Sequence, residues 1–147
     1  MKRLAILLAG LTLWSSGAWA VGGGSGPELA AARQAIENRD WTGAIGALDK
    51  VLAANGDNAD AHNYLAYAHR QLGNMELAFK HYGIALRINP EHRGAHEYVG
   101  EAYLKVGNLA KAEAHLAILD ELCLFGCEEY DELQEAVEKF HAEGATN

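Results

Sequence analysis

The chain has 147 residues, of which 50% are apolar and 22% charged, and its formal net charge is -8. This composition is typical of a globular protein and excludes a disordered, collagen-like or coiled-coil chain. A chain of this length has room for one compact domain, but not for a large catalytic domain beside a second module. The excess of acids argues against binding to nucleic acid or to an anionic membrane, because both need a basic surface.

Residues 1–20 are predicted to be a cleavable signal peptide. They combine a basic start, an apolar run from Leu4 to Trp14 and the small-x-small cleavage site Ala18-Trp19-Ala20. The apolar run is shorter than the roughly 20 residues of a membrane-spanning helix, so we expect no membrane insertion after cleavage. The mature protein is therefore expected to be periplasmic or secreted, with a flexible linker over residues 21–26.

A repeat of 34 residues organises the rest of the chain. Residues 59–92 align without a gap to residues 93–126, and residues 25–58 form a more divergent first copy. Within each copy the apolar residues recur three and four positions apart in two segments, which predicts two helices. The matched pairs include His62 with His96, Tyr64 with Tyr98, Gly73 with Gly107, Ala78 with Ala112, and His81 with His115.

The residues between the two segments predict a helical hairpin in each copy. Gly73 and Gly107 can take the left-handed conformation that ends a first helix. Asp40, Asn74 and Asn108 can then cap the second helix, because a side-chain oxygen accepts hydrogen bonds from its first amides. Small residues recur inside the second segment, where they would let the two helices approach closely: Ala44, Ala78 and Ala112.

The C-terminal segment, residues 127–143, is predicted to be one more helix. Tyr130, Leu133, Val137 and Phe140 form a single apolar stripe, and acids occupy the other faces. A stack of hairpins leaves its last apolar side bare, and a terminal amphipathic helix covers it. We therefore expect a capping helix here.

The copies resemble the tetratricopeptide repeat (TPR) family, in the form of a small exported bacterial protein. The second copy matches the family pattern at Leu65, Ala66, Gly73, Ala78, Tyr82, Ala85 and Pro90, and the third at Val99, Gly100, Tyr103, Gly107 and Ala112. The departures are His62 and His96 in place of Trp, Arg39 in place of Gly, and Gly56 and Leu124 in place of Pro. The resemblance implies an all-α fold: an α-solenoid of three hairpins over residues 25–126 plus the capping helix.

The resemblance also implies a concave groove, lined by the first helix of each copy, that binds a protein or peptide partner. We expect Tyr67 and Arg70 to be the main anchors, since Tyr and Arg dominate interface energetics. Acids and bases are nearly balanced among the implied groove residues, so no charge preference is expected. The polar and aromatic members of the set are Arg33, Glu37, Asp60, Asn63, Tyr67, Arg70, Gln71, Glu97, Glu101 and Lys105.

The two cysteines, Cys123 and Cys127, are expected to form a disulfide, because an exported chain meets an oxidising compartment. Two alternatives stay open at this point. The pair could be redox-active, although its spacing is one residue longer than in thioredoxin-like motifs, or it could bind a metal.

No cofactor, metal site or catalytic activity is predicted. Most histidines recur through duplication, and His92 and His96 lack an evident third ligand. No nucleophile elbow, phosphate-binding loop or zincin motif is present. The acids from Glu128 onward are expected mainly to form a solvated face.

The sequence thus predicts a non-enzymatic adaptor that binds a partner in the cell envelope. The alternatives are a thiol-dependent redox factor and a self-assembling structural protein. Self-assembly is suggested by the first hairpin, whose outer face carries Ala30, Ala31 and Ile36 with no obvious helix to cover it.

Overall fold

A computed structural model describes residues 26–144, and this part of the chain contains seven α-helices and no strand. The predicted signal peptide and nearly all of the predicted linker lie outside the described residues. No helix within residues 26–144 has both the length and the apolar character needed to cross a membrane. The helices are α1 (Pro27–Glu37), α2 (Trp41–Ala54), α3 (Ala59–Gln71), α4 (Met75–Ile88), α5 (Arg93–Lys105), α6 (Leu109–Leu122) and α7 (Glu128–Gly144).

The first six helices form three hairpins that stack side by side, as the resemblance implied. Helices α1 and α2, α3 and α4, and α5 and α6 pair within hairpins, while α2 contacts α3 and α4 contacts α5 between them. The first helices also contact one another in order, α1 with α3 and α3 with α5. The chain is therefore an all-α solenoid in which the first helices form a continuous row.

Each turn inside a hairpin contains one residue with a left-handed backbone. Gly73 and Gly107 have φ of 80° and 74°, as predicted, and Arg39 takes the same conformation with φ of 58°. Asp40 and Asn108 accept a hydrogen bond from the backbone N–H three residues ahead, at 2.9 and 3.2 Å. The prediction was wrong for the cap of α4, because the Asn74 side chain makes no capping hydrogen bond.

The apolar core is distributed along the solenoid instead of being gathered at one centre. One cluster surrounds Leu48, a second surrounds Tyr82 and a third surrounds Leu119, and each of these side chains is fully buried. This distribution is typical of repeat proteins, in which each hairpin buries its apolar surface against its neighbours. The small residues at the recurring position of the second helices are also fully buried: Ala44, Ala78 and Ala112.

Helix α7 packs on α5 and α6 and covers the third hairpin, which confirms the capping helix. Leu133 and Val137 are buried in the third cluster, whereas Tyr130 and Phe140 are half-buried. Gly100 makes the close contact possible, because a Cβ atom at this position would lie 2.6 Å from Leu133 Cδ2. The glycine on α5 therefore sets how deeply α7 docks.

Candidate functional site

One cavity lies on the side of the first helices and is bounded by α3, α5 and α7. Its volume is about 640 Å³, within the range of ligand-binding clefts. It is strongly polar: six carboxyl groups and two guanidinium groups line it, together with Asn63, His92 and the rings of Tyr64 and Tyr98. The carboxyl groups belong to Asp60, Glu91, Glu97, Glu128, Glu129 and Glu132, and the guanidinium groups to Arg33 and Arg93.

The predicted groove residues divide into three sets. Arg33, Asp60, Asn63 and Glu97 line the main cavity, and Arg70 and Glu101 line a smaller hollow of about 270 Å³ beside α7. The other four line neither cavity. Tyr67 contacts Tyr98 of the main cavity and Arg70 of the smaller hollow, and the remaining three are Glu37, Gln71 and Lys105.

Helix α7 changes the expected charge of the groove. The acids from Glu128 onward were expected mainly to be solvated, and Glu128 and Glu132 are exposed while Glu129 is half-buried. All three also line the main cavity, which the sequence did not predict. Their approach to α5 depends on the Gly100–Leu133 contact, which the sequence pattern does not reveal. The cavity is therefore acidic, whereas the first helices alone suggested no charge preference.

Two buried oxygen atoms in this cavity have no hydrogen-bond partner. They are Asn63 Oδ1 and Glu97 Oε1, on residues that are only 3% and 4% exposed. Burial, a hydrogen bond shared with Glu132 and the charges of Glu132, Glu101 and Glu129 together raise the pKa of Glu97 to about 9. Glu97 is thus neutral near pH 7, since an isolated buried carboxylate is strongly unfavourable.

Two of the other acids in the cavity have basic partners. His92 Nδ1 accepts the backbone N–H of Ala95, so its Nε2–H donates to Asp60 Oδ1 at 3.0 Å. This hydrogen bond lowers the pKa of Asp60 below its ordinary value. The Nε atom of Arg93 lies 3.8 Å from Oε1 of Glu129. Four carboxyl groups of the cavity take no part in these two contacts, and Arg33 is the remaining cation among the lining residues. The four groups belong to Glu91, Glu97, Glu128 and Glu132.

The predicted anchors, Tyr67 and Arg70, belong to a stack of side chains along the row of first helices. The Tyr67 ring contacts Trp41 edge to face and lies 4.9 Å from the Tyr98 ring. The buried Arg70 guanidinium pairs with Glu101 at 2.5 Å and lies 5.1 Å from the centre of the Tyr67 ring. The charge of Arg70 is thus already paired with Glu101 inside the protein. Arg70 therefore stabilises the wall of the groove through its contacts with Glu101 and Tyr67.

Two equivalent histidine pairs connect the helices of the second and third hairpins. His62 and His96 each point Nε2 at a backbone carbonyl, so this nitrogen carries the proton. Their Nδ1 atoms must then accept a hydrogen bond from Nδ1 of His81 at 3.0 Å and of His115 at 2.9 Å. Burial, followed by the facing imidazole, lowers the pKa of both donor rings to about 4. The recurrent histidines are therefore structural pairs.

The two cysteines meet at the turn between α6 and α7. Cys123 and Cys127 are bonded, with an S–S distance of 2.01 Å and Cα atoms 5.6 Å apart. The loop that they close displays Leu124 and Phe125, which are 81% and 102% exposed. The sequence pattern marked Leu124 only as a departure from the Pro of the family and gave no sign that Leu124 and Phe125 are exposed together.

The described part of the chain contains no group of three or more His, Cys, Asp or Glu residues that could hold a metal ion. The cavity does bring together carboxyl groups, an amide oxygen and two phenol rings. This arrangement can accept hydrogen bonds from a ligand and can stabilise positive charge.

Comparisons with known proteins agree with this architecture. Residues 29–88 match the tetratricopeptide repeat family, whereas no curated protein matches the chain. The TPR2B domain of yeast Sti1 in its complex with pHsp70 has a TM-score of 0.70 and 18% identity, over 79% of this chain and 94% of that one. The TPR domain of Arabidopsis OM64 has a TM-score of 0.67 and 18% identity, over 75% of this chain and 90% of that one.

A bacterial protein gives a similar result. SycD, the type III secretion translocator chaperone of Yersinia enterocolitica, has a TM-score of 0.67 and 16% identity, over 79% of this chain and 82% of that one. At these identities the likeness establishes the fold alone. Together with the match over residues 29–88, it supports a tetratricopeptide repeat protein.

Proposed function

We propose that the protein is a non-enzymatic adaptor that binds an extended segment of a protein partner along its row of first helices. The observation that carries this proposal is the cavity of about 640 Å³ bounded by α3, α5 and α7. Such a cavity offers pockets for side chains of a bound chain, while the neighbouring helices provide a continuous surface. The peptide-bound state of a structural neighbour, the first TPR of Spaghetti (RPAP3) with an HSP90 peptide, is consistent with this use.

Selection from a random peptide library tests this proposal. Peptides enriched on the purified protein should bind Tyr67→Ala at least about fivefold more weakly, because truncating an aromatic anchor removes about 1 kcal/mol or more. Tyr130→Ala is the matched control, since Tyr130 lies on α7 with its ring packed against the third cluster, whereas Tyr67 belongs to the row of first helices. Circular dichroism checks that both variants fold. Failure to enrich any peptide, or equal affinities for wild type and Tyr67→Ala, would contradict groove binding.

We also propose that the protein works in the cell envelope after export. The basic start, short apolar run and Ala-x-Ala site support this location. Mass spectrometry of the protein purified from cells tests it: the expected mass is that of a chain beginning at Val21, and a full-length chain found only in the cytoplasm would contradict it.

We propose that the bridge between Cys123 and Cys127 is structural, because an exported chain meets an oxidising compartment and the spacing is one residue longer than in thioredoxin-like motifs. A redox factor needs a bridge that common thiols reduce readily, whereas structural bridges have potentials below about -300 mV. Titration with glutathione is expected to leave the bridge intact. Reduction in the thioredoxin range, near -270 mV, would favour the redox alternative.

Self-association remains the other alternative. Ala30 and Ala31 are exposed on α1, and Ile36 is half-buried. Sedimentation velocity is expected to give a monomer at micromolar concentration, because this patch consists mainly of small side chains. A concentration-dependent dimer that disappears in Ala31→Glu would instead support self-assembly.

A further inference from the structure

We infer that the acidic cavity binds a cationic side chain, lysine or arginine, of a basic peptide segment lying in the groove. This inference rests on the proposed function and names the kind of partner that the groove selects. It depends on the composition of the cavity, on its two unpartnered oxygen atoms and on its aromatic walls.

The unpartnered oxygens are the strongest indication of a ligand. Asn63 Oδ1 and Glu97 Oε1 are buried in residues that line the same cavity, and neither has a hydrogen-bond partner. Buried polar atoms in native proteins nearly always have one. The amide oxygen of Asn63 only accepts hydrogen bonds, and the carboxyl group of Glu97 becomes acceptor-only when a neighbouring cation favours its ionised form. A cationic hydrogen-bond donor would therefore partner both oxygens.

The charge around these oxygens specifies a cationic donor. Six carboxyl groups line the cavity against two guanidinium groups, and the contacts with His92 and Arg93 account for two of the six. A neutral donor would leave the remaining acids facing one another. An ammonium or guanidinium group would satisfy the oxygens and reduce this repulsion at the same time.

The walls suit an organic cation better than a metal ion. The rings of Tyr64 and Tyr98 line the cavity and each already lies near a guanidinium group of this chain, Arg33 at 5.9 Å and Arg70 at 5.7 Å from the ring centres. These walls are therefore of the kind that attracts guanidinium and ammonium groups. The described residues hold no metal-binding group of three or more His, Cys, Asp or Glu side chains, and a volume of about 640 Å³ is much larger than a single ion. Gly94 contributes no side chain, which leaves the cavity open next to Asn63.

Calorimetric titration with four capped ten-residue peptides tests the inference. The peptides are N-acetylated and C-amidated and differ only at three alternate positions, which hold Lys, Arg, Gln or Glu. We expect the Lys and Arg peptides to bind about tenfold or more tightly than the Gln peptide, because a charge-assisted hydrogen bond contributes about 1.5–3 kcal/mol. Their affinity should fall as salt is raised, and the Glu peptide should bind most weakly.

Two variants locate the effect in this cavity. Glu97→Gln keeps the shape of the side chain, removes its ability to ionise, and is expected to reduce the affinity for the Lys peptide about fivefold or more. Glu76→Gln is the matched control on an exposed part of α4 and should leave the affinity unchanged. Gly94→Leu is a second test: a Cβ at this position lies at ordinary contact distance, 3.5 Å from Asn63 Nδ2, so the longer side chain should fill the cavity and abolish binding.

The outcomes separate this inference from the proposed function. Equal binding of the Gln and Lys peptides, or preference for the Glu peptide, would overturn cation selection while leaving groove binding intact. Displacement of the Lys peptide by micromolar calcium would assign the acids to a metal and overturn it as well. If library-selected peptides bind the groove but none of the cationic peptides does, the inference fails alone; if no peptide of either kind binds, the proposed function fails too.

Discussion

Arg39 adopts a backbone conformation that costs free energy for a residue with a Cβ atom. Its φ of 58° equals, within a few tens of degrees, the φ of Gly73 and Gly107 in the equivalent turns of the later hairpins. The first copy therefore keeps the geometry of the turn although it has lost the glycine. At the scale of single residues, the repeat keeps the left-handed backbone of this turn even where the residue has a Cβ atom.

Replacing this residue tests the strain directly. We expect Arg39→Gly to raise the free energy of unfolding by about 1 kcal/mol, because glycine takes the left-handed region without a steric penalty. Gly73→Ala is the reciprocal change and should lower it by a similar amount. Urea denaturation measures both, and a destabilised Arg39→Gly would show that the arginine makes a compensating contact.

Glu97 makes the stability depend on pH in the neutral range. Its pKa of about 9 in the folded protein exceeds the ordinary value of 4.5, so its contribution is fully present below pH 4.5 and is lost as the pH rises towards 9. We expect Glu97→Gln to be more stable than wild type at pH 8 by more than about 1 kcal/mol, since one pKa unit corresponds to about 1.4 kcal/mol. Parallel stability profiles of the two proteins between pH 5 and 9 would contradict this assignment.

The histidine pairs act in the opposite direction. The pKa values of His81 and His115 are lowered from 6.5 to about 4, so their contribution is present above pH 6.5 and is lost as the pH falls towards 4. We expect the unfolding free energy of the wild type to decrease over this window, and the double variant His81→Gln/His115→Gln to show a flatter profile. NMR titration of the two rings checks the cause, and ring pKa values near 6.5 would contradict it.

At the scale of elements, the position of α7 depends on one small residue. Leu133 fits against α5 only because position 100 is glycine. The same docking brings Glu128, Glu129 and Glu132 to the main cavity. The capping helix thus has two roles in this structure, since it covers the third hairpin and supplies half of the carboxyl groups of the candidate site.

A double-mutant cycle measures this contact. Leu133→Ala is expected to lower the unfolding free energy by about 2–5 kcal/mol through the cavity that it leaves. Gly100→Ala should lower it by about 1–3 kcal/mol through overpacking. The two changes together should cost less than their sum, because the smaller side chain at 133 makes room for the new methyl group. Strict additivity would show that the two residues are not in contact.

The hairpins could be predicted from the sequence, whereas the site could be predicted only in part. Helical spacing and the turn glycines are local features of the sequence. The duplication repeats both features 34 residues later, at matching positions. The acidic character of the groove depends on contacts between α5 and α7. The pattern marks Gly100 as a family match and Leu133 as part of an apolar stripe, but it does not show that these two residues meet. The burial of Arg70 escaped prediction for the same reason, since its partner Glu101 belongs to the next copy.

At the scale of the whole molecule, convex and concave sides have different roles. The second helices carry the fully buried Ala44, Ala78 and Ala112, while the first helices and the start of α7 line the cavity. This division follows from stacking, because each hairpin contacts only its neighbours and leaves one side of the row open. A partner is therefore expected to bind on one side of the solenoid.

Amide chemical-shift mapping of a library-selected peptide tests this central claim most directly. We expect the largest shifts at groove positions of α1, α3 and α5 and in the first turn of α7, including Gly94 and Asn63, with small shifts along α2, α4 and α6. Shifts concentrated on the second helices, or at the exposed Leu124 and Phe125 of the disulfide loop, would contradict it.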